Sequence, residues 1–386
     1  MSLRTIACVS AALALSASAC TGANGAPSPS SSHTNADLVT VKVAYFEDAT
    51  LDEPFELALP ALQGFRLAFS RAAEAGTLPV GVEIVELDTQ GDAAMALALA
   101  QKVADDPSYV AAIAAPFWSE PDEVGEVLDR AGLLTFGLSE LGAPSDEWGG
   151  RLRFVPVQAR QVDAIAAHLR TRAEPGGVCV AHDATTYGAA LAADLTETLG
   201  PIRGPSDLVA DDESETASLV ESIEASGCAF VAWGGFGTIA VALRSALTDS
   251  GSASVRLVGS DAMKTDAYVE DAVGAGEGTV VSCGCVDLTT SLDLAAQVFI
   301  HDYQSENGSA PGVFSAEGLD AGSVLLDALR SGPPTRDAVR AAVISTGSFE
   351  GLSRTYVFAG DELEGPEAAL FEDRGQRWVP FEQETA

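Results

Sequence analysis

A regular alternation of short β-rich runs with helical segments constrains this chain more than any other feature of its sequence. Residues 41–46, 82–87 and 109–114 form mostly apolar runs, and residues 60–75 and 93–104 carry apolar side chains at helical spacing. Strands separated by helices can pair in parallel, because each helix returns the chain to the same end of the sheet. The alternation therefore predicts an α/β fold with parallel sheets wrapped by helices.

A second series of the same kind follows residues 152–157, which also predict a strand. The two series indicate two Rossmann-like lobes, each with a parallel central sheet flanked by helices. The further predicted elements are strands at 133–136, 177–182, 229–233, 256–259 and 279–282, and helices at 121–131, 162–171, 187–199, 216–225 and 238–248.

The last third of the chain differs, because residues 293–303, 317–329 and 335–344 predict successive helices with little strand between them. These helices cannot form a domain alone, so we expect them to cover the first sheet, while the strands near Tyr356 and Leu370 return to the second. The predicted lobes comprise residues 38–155 plus 289–346 and residues 156–288 plus 347–382. Joined by a multi-strand hinge, such lobes can close around a cleft.

The charge of the chain excludes some classes of partner. It has 56 acidic residues against 21 basic ones and a formal net charge of -35. Nucleic acid and anionic bilayers would be repelled, so we predict neither as a ligand. No run after Cys20 approaches the ~20 consecutive apolar residues that a membrane-spanning helix needs.

The first residues of the chain have the pattern of an export signal. Arg4 precedes an apolar run at 6–15, and residues 17–19 are the small residues Ala-Ser-Ala, directly before Cys20. A plain secretory signal would fit this pattern. The cysteine directly after the cleavage point also resembles the lipobox of bacterial lipoproteins, although alanine stands at position 17 where leucine is more common. We therefore predict a lipoprotein signal peptide over residues 1–19.

Residues 20–37 are rich in Ser, Pro, Gly and Asn and predict a flexible tether. The resemblance to lipoproteins implies an extracytoplasmic protein that is anchored to the cell membrane by a lipid on Cys20.

Four of the six cysteines remain in the folded body when Cys8 leaves with the signal and Cys20 is acylated. An even number in an oxidising compartment suggests disulfides. A disulfide between Cys179 and Cys228 is geometrically possible, because both residues begin predicted strands that could lie side by side. Cys283 and Cys285 are close for a bond between themselves, and without a nearby histidine they are weak evidence for zinc. We predict no metal and no cofactor.

Candidate ligand contacts follow the strands, because doubly wound sheets bind ligands beyond the carboxyl ends of their strands. Phe117, Trp118 and Ser119 follow the strand at 109–114, and the pair Ser139-Glu140 follows the strand at 133–136. Ser119 is a natural helix N-cap, but a helix N-terminus beside a cleft also suits a carboxylate.

Tyr187, Phe236 and Asp261 occupy the corresponding places in the second series. A carboxylate such as that of Asp261 at a strand end is well placed to hold an ammonium group. An N-cap of the following short helix is an equally good interpretation of Asp261 from its chemistry alone.

Together these motifs resemble the type I periplasmic binding proteins of ABC transporters, specifically the branched-chain amino-acid (Leu/Ile/Val) binding family. The resemblance spans residues 39–380. Its markers are short motifs at 64–68, 86–92, 98–102, 115–119, 187–188, 233–236 and 259–261.

The resemblance implies roles for individual residues. The positions matching Ser119 and Ser139 bind the ligand carboxylate in that family, and the position matching Asp261 binds the α-ammonium. Tyr187 and Phe236 fall where the family has aromatic residues of the second lobe. Phe117 and Trp118 would supply apolar walls.

Two departures from the family pattern bear on the ligand. Ser139-Glu140-Leu141 stands where the family usually has Ser-Ala-Thr, and residues 47–53 replace a glycine-rich loop with an acidic one. If Glu140 and Asp261 both face the cleft, the site disfavours a free carboxylate and accepts an amine or cation. The alternative is that Glu140 points to solvent, as most glutamates do.

The expected function is capture of a small polar ligand, an amino acid or a related amine or amide, and its delivery to an ABC transporter permease. The alternative is a ligand sensor of the same fold that is coupled to a membrane signalling partner. We predict no enzyme, because the sequence holds no G-x-S-x-G, G-x-x-x-x-G-K or H-E-x-x-H motif. We expect a monomer.

Overall fold

Parallel β-sheets with helices packed on their faces make up the fold. The computed structural model describes residues 39–50, 52–113, 122–138, 151–359, 362–363 and 368–381. This is the mixed α/β class that the alternating sequence predicts, and that prediction is confirmed. No helix among the described residues has both the length and the apolar character to cross a bilayer.

Most strands are short and apolar. They are β1 Thr40–Glu47, β2 Gly81–Asp88, β3 Tyr109–Ile113, β4 Leu134–Gly137, β5 Arg151–Arg153, β6 Val178–Asp183, β7 Leu208–Ala210, β8 Phe230–Gly234, β9 Arg256–Gly259, β10 Val280–Cys283, β11 Ser348–Glu350, β12 Thr355–Ala359, β13 Glu362–Leu363, β14 Ala369–Asp373 and β15 Trp378–Pro380.

The helices alternate with these strands until β10 and then follow one another. They are α1 Asp52–Glu74, α2 Ala93–Asp105, α3 Asp122–Arg130, α4 Gln158–Arg170, α5 Thr186–Leu199, α6 Thr216–Ser226, α7 Gly237–Asp249, α8 Asp266–Asp271, α9 Leu294–Asn307, α10 Ser315–Ser331 and α11 Arg336–Thr346.

The two larger sheets have the same strand order in their parallel parts. The first runs β2-β1-β3-β4-β5, and in the second the parallel strands run β7-β6-β8-β9-β10. Strands β14 and β15 extend the second sheet with antiparallel pairing. The strand order reverses between β1 and β3 in the first sheet and between β6 and β8 in the second. In doubly wound sheets a crevice opens at the carboxyl ends of the two strands on either side of such a reversal.

In the first sheet β1, β3 and β4 are buried on both faces, so these strands are mostly apolar on both sides, whereas the edge strand β2 is partly exposed. Val43 and Tyr45 of β1 belong to the same core cluster as Phe65 of α1, whereas Ala44 and Phe46 belong to the opposite cluster with α2 and α3. Successive side chains of a strand point to opposite faces, and this alternation explains the division.

Helix α10 lies so close to α1 that only glycine fits at the contacts. A Cβ on Gly64 would lie 1.9 Å from the Ser315 carbonyl oxygen, and one on Gly318 would lie 2.1 Å from that of Ala61. Helix α11 packs against β3 and β4. The helices of the last third thus lie against elements of the first sheet, while β14 pairs with the second.

Helix α1 begins earlier than the sequence predicts. Pro60 favours a helix start because it lacks an N–H, yet the helix runs from Asp52 and Pro60 lies inside it. The hydroxyl of Tyr45 donates to the Ala58 carbonyl at 3.0 Å, so the turn before Pro60 is fixed by the strand beneath it.

The sequence does not predict strands β11, β13 and β15, because runs of two or three residues show too little hydrophobic periodicity.

Segments that pass between the two sheets are held by buried carboxylates of α10. Glu317 is fully buried and accepts hydrogen bonds from the Val286 amide at 2.8 Å and from Arg354 at 3.0 Å. Asp320 accepts from the amides of Leu352 and Ser353 at 2.6 and 2.9 Å. Burial raises the pKa of both carboxyl groups, and these hydrogen bonds oppose that effect.

Two disulfides lie in the second sheet. One joins Cys179 of β6 to Cys228, just before β8, with the Cα atoms 5.7 Å apart. The other joins Cys283 to Cys285, which are separated by one residue, with Cα atoms 5.1 Å apart.

A single guanidinium group connects α11 to the first sheet and its helices. Arg336 donates hydrogen bonds of 2.5–3.1 Å to the carbonyl oxygens of Val103, Ala104, Asp106, Tyr109 and Ala131. These oxygens lie at the end of α2, at the start of β3 and just after α3, where helix ends leave carbonyl groups unpaired.

A buried carboxylate ends β1. Glu47 is 4% exposed, and its Oε2 atom has no hydrogen-bond partner within the part of the chain that the structure describes. Burial raises the pKa of Glu47 to about 7, and the nearby charges of Glu86, Asp88 and Asp48 add to this effect while Arg66 opposes it.

Replacing Arg336 by alanine should lower the free energy of unfolding by about 3 kcal/mol or more, because several hydrogen bonds to a charged donor are lost together. The matched control is Arg330→Ala, which removes a half-exposed arginine of α10 and should cost less than about 1 kcal/mol. Urea denaturation at an unchanged m-value measures both. Equal losses in the two variants would contradict the assigned role of Arg336.

Glu47 should make the stability depend on pH. The folded pKa lies above the unfolded value of 4.5, so the folded state binds the proton more tightly and stability falls as pH rises from 4.5 to about 7. Glu47→Gln removes the loss of stability that ionisation of the buried carboxyl group causes. Its gain in unfolding free energy over the wild type should be larger at pH 8 than at pH 5 by about 2 kcal/mol. The same comparison of the wild type with Glu83→Gln, which removes an exposed carboxylate from β2, should show no such difference, and a flat result for Glu47→Gln would refute the prediction.

Candidate functional site

The carboxyl ends of β6, β8 and β9 lie side by side and carry three of the predicted ligand contacts. Strand β8 pairs in parallel with both β6 and β9, so the loops that follow these strands emerge at one edge of the sheet. Tyr187 follows β6, Phe236 follows β8 and Asp261 follows β9. The strand order reverses between β6 and β8, and doubly wound sheets bind ligands at such a point.

A buried aspartate, Asp183, joins the first two of these loops. Its carboxylate accepts hydrogen bonds from the Phe236 amide at 2.7 Å and from the amide of Thr185 at 3.1 Å, and also from the Thr185 hydroxyl. Burial raises the pKa of Asp183 above its usual value, and the hydrogen bonds from Thr185 and Phe236 partly oppose this rise. A Cβ on Gly188 would lie 2.1 Å from this carboxylate, so only glycine fits there. Asp183 therefore fixes the loops that carry Tyr187 and Phe236.

The rings of Tyr187 and Phe236 form an aromatic pair. Their centroids are 5.4 Å apart at an interplanar angle of 48°. The Tyr187 hydroxyl lies 2.6 Å from Oγ of Ser260, the residue before Asp261. Helix α5 begins beside this pair, and the hydroxyl of its N-cap, Thr185, accepts from the Gly188 amide at 2.9 Å. The pair offers a rigid apolar wall with its polar tip bound to the neighbouring loop.

Asp261 lies in a short 3₁₀ turn and is almost fully buried. Its amide donates to Oε1 of Gln161 at 3.1 Å, and the Ser282 hydroxyl donates to the same oxygen at 2.9 Å. Burial raises the pKa of Asp261 to about 6, while a hydrogen bond from the Gln161 side chain and the charge of Lys264 oppose the rise. An acid in such a place accepts a cation readily, because the cation restores the charged form.

The following helix, α8, does not use Asp261 as its cap. Its N-cap is Thr265, whose hydroxyl accepts from the Tyr268 amide at 3.1 Å. The competing interpretation of Asp261 as a helix cap is therefore wrong.

Lys264 is the cation nearest in sequence to Asp261, and it is buried as well. Its Nζ atom lies 3.9 Å from Oδ2 of Asp287 and 4.4 Å from the ring centroid of Phe371. Burial lowers the pKa of Lys264, and the charge of Asp287 opposes this. Asp287 and the Phe371 ring thus hold the ammonium group of Lys264.

A cavity of about 690 Å³ lies beside α7 and α8, and its described lining includes Gly237 and Ala262, the neighbours of Phe236 and Asp261, but not Tyr187, Phe236 or Asp261 themselves. Leu57 of α1 lines it from one side, and residues of α7, of α8 and of the segment before α8 line it from the other. Leu57 also packs against the apolar cluster that contains Tyr187 and Ala262. The cavity therefore lies between Leu57 of α1, a helix that covers the first sheet, and a surface formed mainly by α7 and α8. Its size is within the range of small-molecule sites.

The remaining predicted contacts cannot be placed. Phe117, Trp118, Ser119, Ser139 and Glu140 lie outside the described residues, and so does the predicted lipidation site, Cys20. The structure brings Tyr187, Phe236 and Asp261 together at one edge.

Sequence reasoning missed the residues that position this edge. Asp183 directly follows the strand predicted at 177–182 and could have been singled out on that ground. Gln161 lies on α4 and carries no local signal, since only the tertiary structure brings its side chain to Asp261 and Ser282. Among the described residues, no group of three or more Cys, His, Asp or Glu side chains is arranged to hold a metal ion.

A family model described as "Periplasmic binding protein" matches residues 40–367, which is most of the chain. A search of curated proteins found no match.

Several solved structures have the same fold, and the alignment with this chain covers nearly the whole of each of them. The branched-chain amino acid transporter substrate binding protein LivJ from Streptococcus pneumoniae, in complex with isoleucine, has a TM-score of 0.73 at 15% identity over 88% of this chain and 97% of its own. The leucine binding protein LivK from Thermotoga maritima has a TM-score of 0.72 at 17% identity over 89% and 98%. An ABC transporter substrate-binding protein from Desulfitobacterium hafniense, in complex with Leu, has a TM-score of 0.67 at 19% identity over 89% and 99%.

These similarities match the fold built from the two larger sheets, and the family model covers the parallel strands of both. The family that the sequence motifs indicated is confirmed: the chain belongs to the periplasmic binding proteins and has the type I fold.

Proposed function

We propose that this protein is an extracytoplasmic solute-binding lipoprotein that captures an amino acid or a related amine or amide and delivers it to an ABC transporter permease. The observation that carries the proposal is the buried carboxylate of Asp261 beside the aromatic pair of Tyr187 and Phe236. An ammonium group can pair with this carboxylate while the rings pack against the apolar part of the ligand.

The binding site in this proposal lies between two lobes that close on the ligand. The first lobe comprises residues 38–155 plus 289–346, and the second comprises residues 156–288 plus 347–382. Support comes from the packing of α10 on α1, from the pairing of β14 with β10, and from the cavity that Leu57 and Ala262 line together. The Glu317–Arg354 ion pair lies where the chain passes between the sheets, and it would restrict the movement of the two lobes about the hinge.

The names of similar proteins support the class of ligand. The Streptococcus pneumoniae and Desulfitobacterium hafniense proteins are described in complex with isoleucine and with Leu. Closure around such a ligand removes it from water and changes the surface that a permease would meet. We propose that the lipid on Cys20 keeps the protein at the membrane that holds this permease.

Asp261→Asn should weaken the tightest amine-bearing ligand at least tenfold, because a charge-assisted hydrogen bond contributes about 1.5–3 kcal/mol. A thermal-shift panel of amino acids, amides, polyamines and nucleosides first identifies that ligand on the wild type. Isothermal titration calorimetry then compares wild type, Asp261→Asn and the control Asp266→Asn, whose exposed carboxylate lies on α8. Equal affinities in all three proteins would refute the role of Asp261, and a panel without any saturable ligand would refute the proposed function.

Cys20→Ser should move the full-length protein from the membrane fraction to the soluble extracytoplasmic fraction, because a lipid anchor is lost. Cys8→Ser serves as the control, since Cys8 lies within the predicted signal. Immunoblots of fractionated cells measure the distribution. If the Cys20→Ser variant stays in the membrane fraction, something other than a lipid on Cys20 holds the protein there.

A further inference from the structure

The turn that carries Asp261 ends at a lysine whose side chain is buried. Residues Asp261–Met263 form a 3₁₀ turn, and the Lys264 amide closes it by donating to the Asp261 carbonyl at 2.8 Å. Ala262 and Thr265 of the same stretch line the cavity of about 690 Å³. The turn therefore borders the cavity, while the side chain of Lys264 is only 11% exposed.

The Lys264 side chain connects this turn to the segment that leaves the second sheet. Its Nζ atom lies 3.9 Å from Oδ2 of Asp287, which follows the end of β10 by four residues, and the Asp287 side chain is 10% exposed. The ring centroid of Phe371 in β14 lies 4.4 Å from the same Nζ atom. Water screens a pair in such a place far less than a surface pair, so the two charges attract each other although they are too far apart for a hydrogen bond.

The Lys264 ammonium group also lies within electrostatic reach of both the proposed ligand edge and α10. Burial lowers the pKa of Lys264, and four carboxylates oppose this effect through their charges: Asp287, Asp266, Glu317 and Asp261. Asp261 belongs to the ligand edge of the proposed function. Glu317 belongs to α10, which packs against α1.

Residues 283–287, which we call the junction, are fixed along their length. A disulfide joins the two cysteines of the junction, and the Gly284 carbonyl accepts from Arg354 at 2.6 Å. The Val286 amide donates to Glu317 of α10 at 2.8 Å. Because close-packed and bonded residues transmit strain, a displacement at one end of the junction passes to α10.

We propose that Lys264 is a positioning residue that couples ligand capture to the movement of the lobes, because its ion pair with Asp287 connects the turn of Asp261 to the junction. This inference rests on the proposed function and adds the residue that connects the binding site to the hinge. Moving the turn away from the junction would leave two buried charges without their partner, which is costly. A ligand that shifts the turn therefore shifts the junction with it.

Lys264→Met should weaken the tightest-binding compound of the thermal-shift panel about fivefold or more, which is the lower end of typical coupling between sites. Methionine keeps most of the length of the side chain and removes the charge. Asp287→Asn should have an effect of similar size, and the double variant should bind no more weakly than either single one, because all three lose the same ion pair. Isothermal titration calorimetry on the folded protein measures the affinities.

The matched control is Lys42→Met. Lys42 in β1 of the first sheet pairs with Asp106 at 3.1 Å, and both side chains are about one-third exposed. This variant should keep an affinity within about twofold of the wild type. Thermal unfolding shows that each variant is folded before it is titrated. The double variant of Lys264 and Asp287 leaves no unpaired charge from this pair in the interior, so it provides a folded protein if a single variant unfolds.

Hydrogen–deuterium exchange shows whether the coupling passes through the junction. In the wild type and in Lys42→Met, the bound compound should slow exchange in residues 259–265 and also in residues 283–293. In Lys264→Met at a saturating concentration, residues 259–265 should remain protected, while residues 283–293 should lose about half of their protection or more. A merely structural role of Lys264 would raise exchange in both regions together and would not separate them.

The outcomes also separate the inference from the proposed function. If the compound binds but Lys264→Met keeps the wild-type affinity, or keeps the full protection of residues 283–293, the inference is overturned and the solute-binding function stands. Losses that multiply in the double variant overturn the inference as well. If no compound of the panel binds to the wild type, the proposed function fails and the inference fails with it.

Discussion

Parallel pairing of neighbouring strands is the constraint on which the candidate site depends. Because β6, β8 and β9 run in the same direction, the loops after them share one edge, and residues 73 positions apart in sequence become neighbours. The bond between Tyr187 and Ser260, 2.6 Å long, is a direct result of that pairing. The same geometry in the first sheet puts Glu47 at the matching edge.

Buried carboxylates fix the loops and connecting segments around the two sheets. Asp183 fixes two loops, Glu317 holds the segment that leaves β10, and Asp320 holds the turn before β12. Each of these acids is compensated by backbone amides or by arginine, so it organises the chain around it. Glu317 and Glu47 each keep one carboxylate oxygen without a hydrogen-bond partner among the described residues, so hydrogen bonds offset their burial only in part.

Much of the secondary structure could be predicted because its signals are local. Helix α5 has an N-cap threonine at 185, and strand β6 is a short apolar run, so both were predicted within a residue or two. Helix α1 was predicted too short, since Pro60 is a local signal for a helix start while the contact from Tyr45 to Ala58 is not local. For the site, strand ends indicated Tyr187, Phe236 and Asp261, but nothing in the sequence linked Gln161 to Asp261, because that contact joins residues 100 positions apart.

The sequence by itself determined the α/β class, the two series of strands and helices, and the positions where strands end, since hydrophobic periodicity and helix caps act over a few residues. The tertiary structure alone decided which carboxylates are buried, which of them have partners, and which are left without one. Burial and hydrogen bonding depend on contacts between distant parts of the chain. Asp183 and Glu47 both end a first strand of their series, yet only the folded environment gives the Asp183 carboxylate its backbone partners and leaves one oxygen of Glu47 without a partner among the described residues.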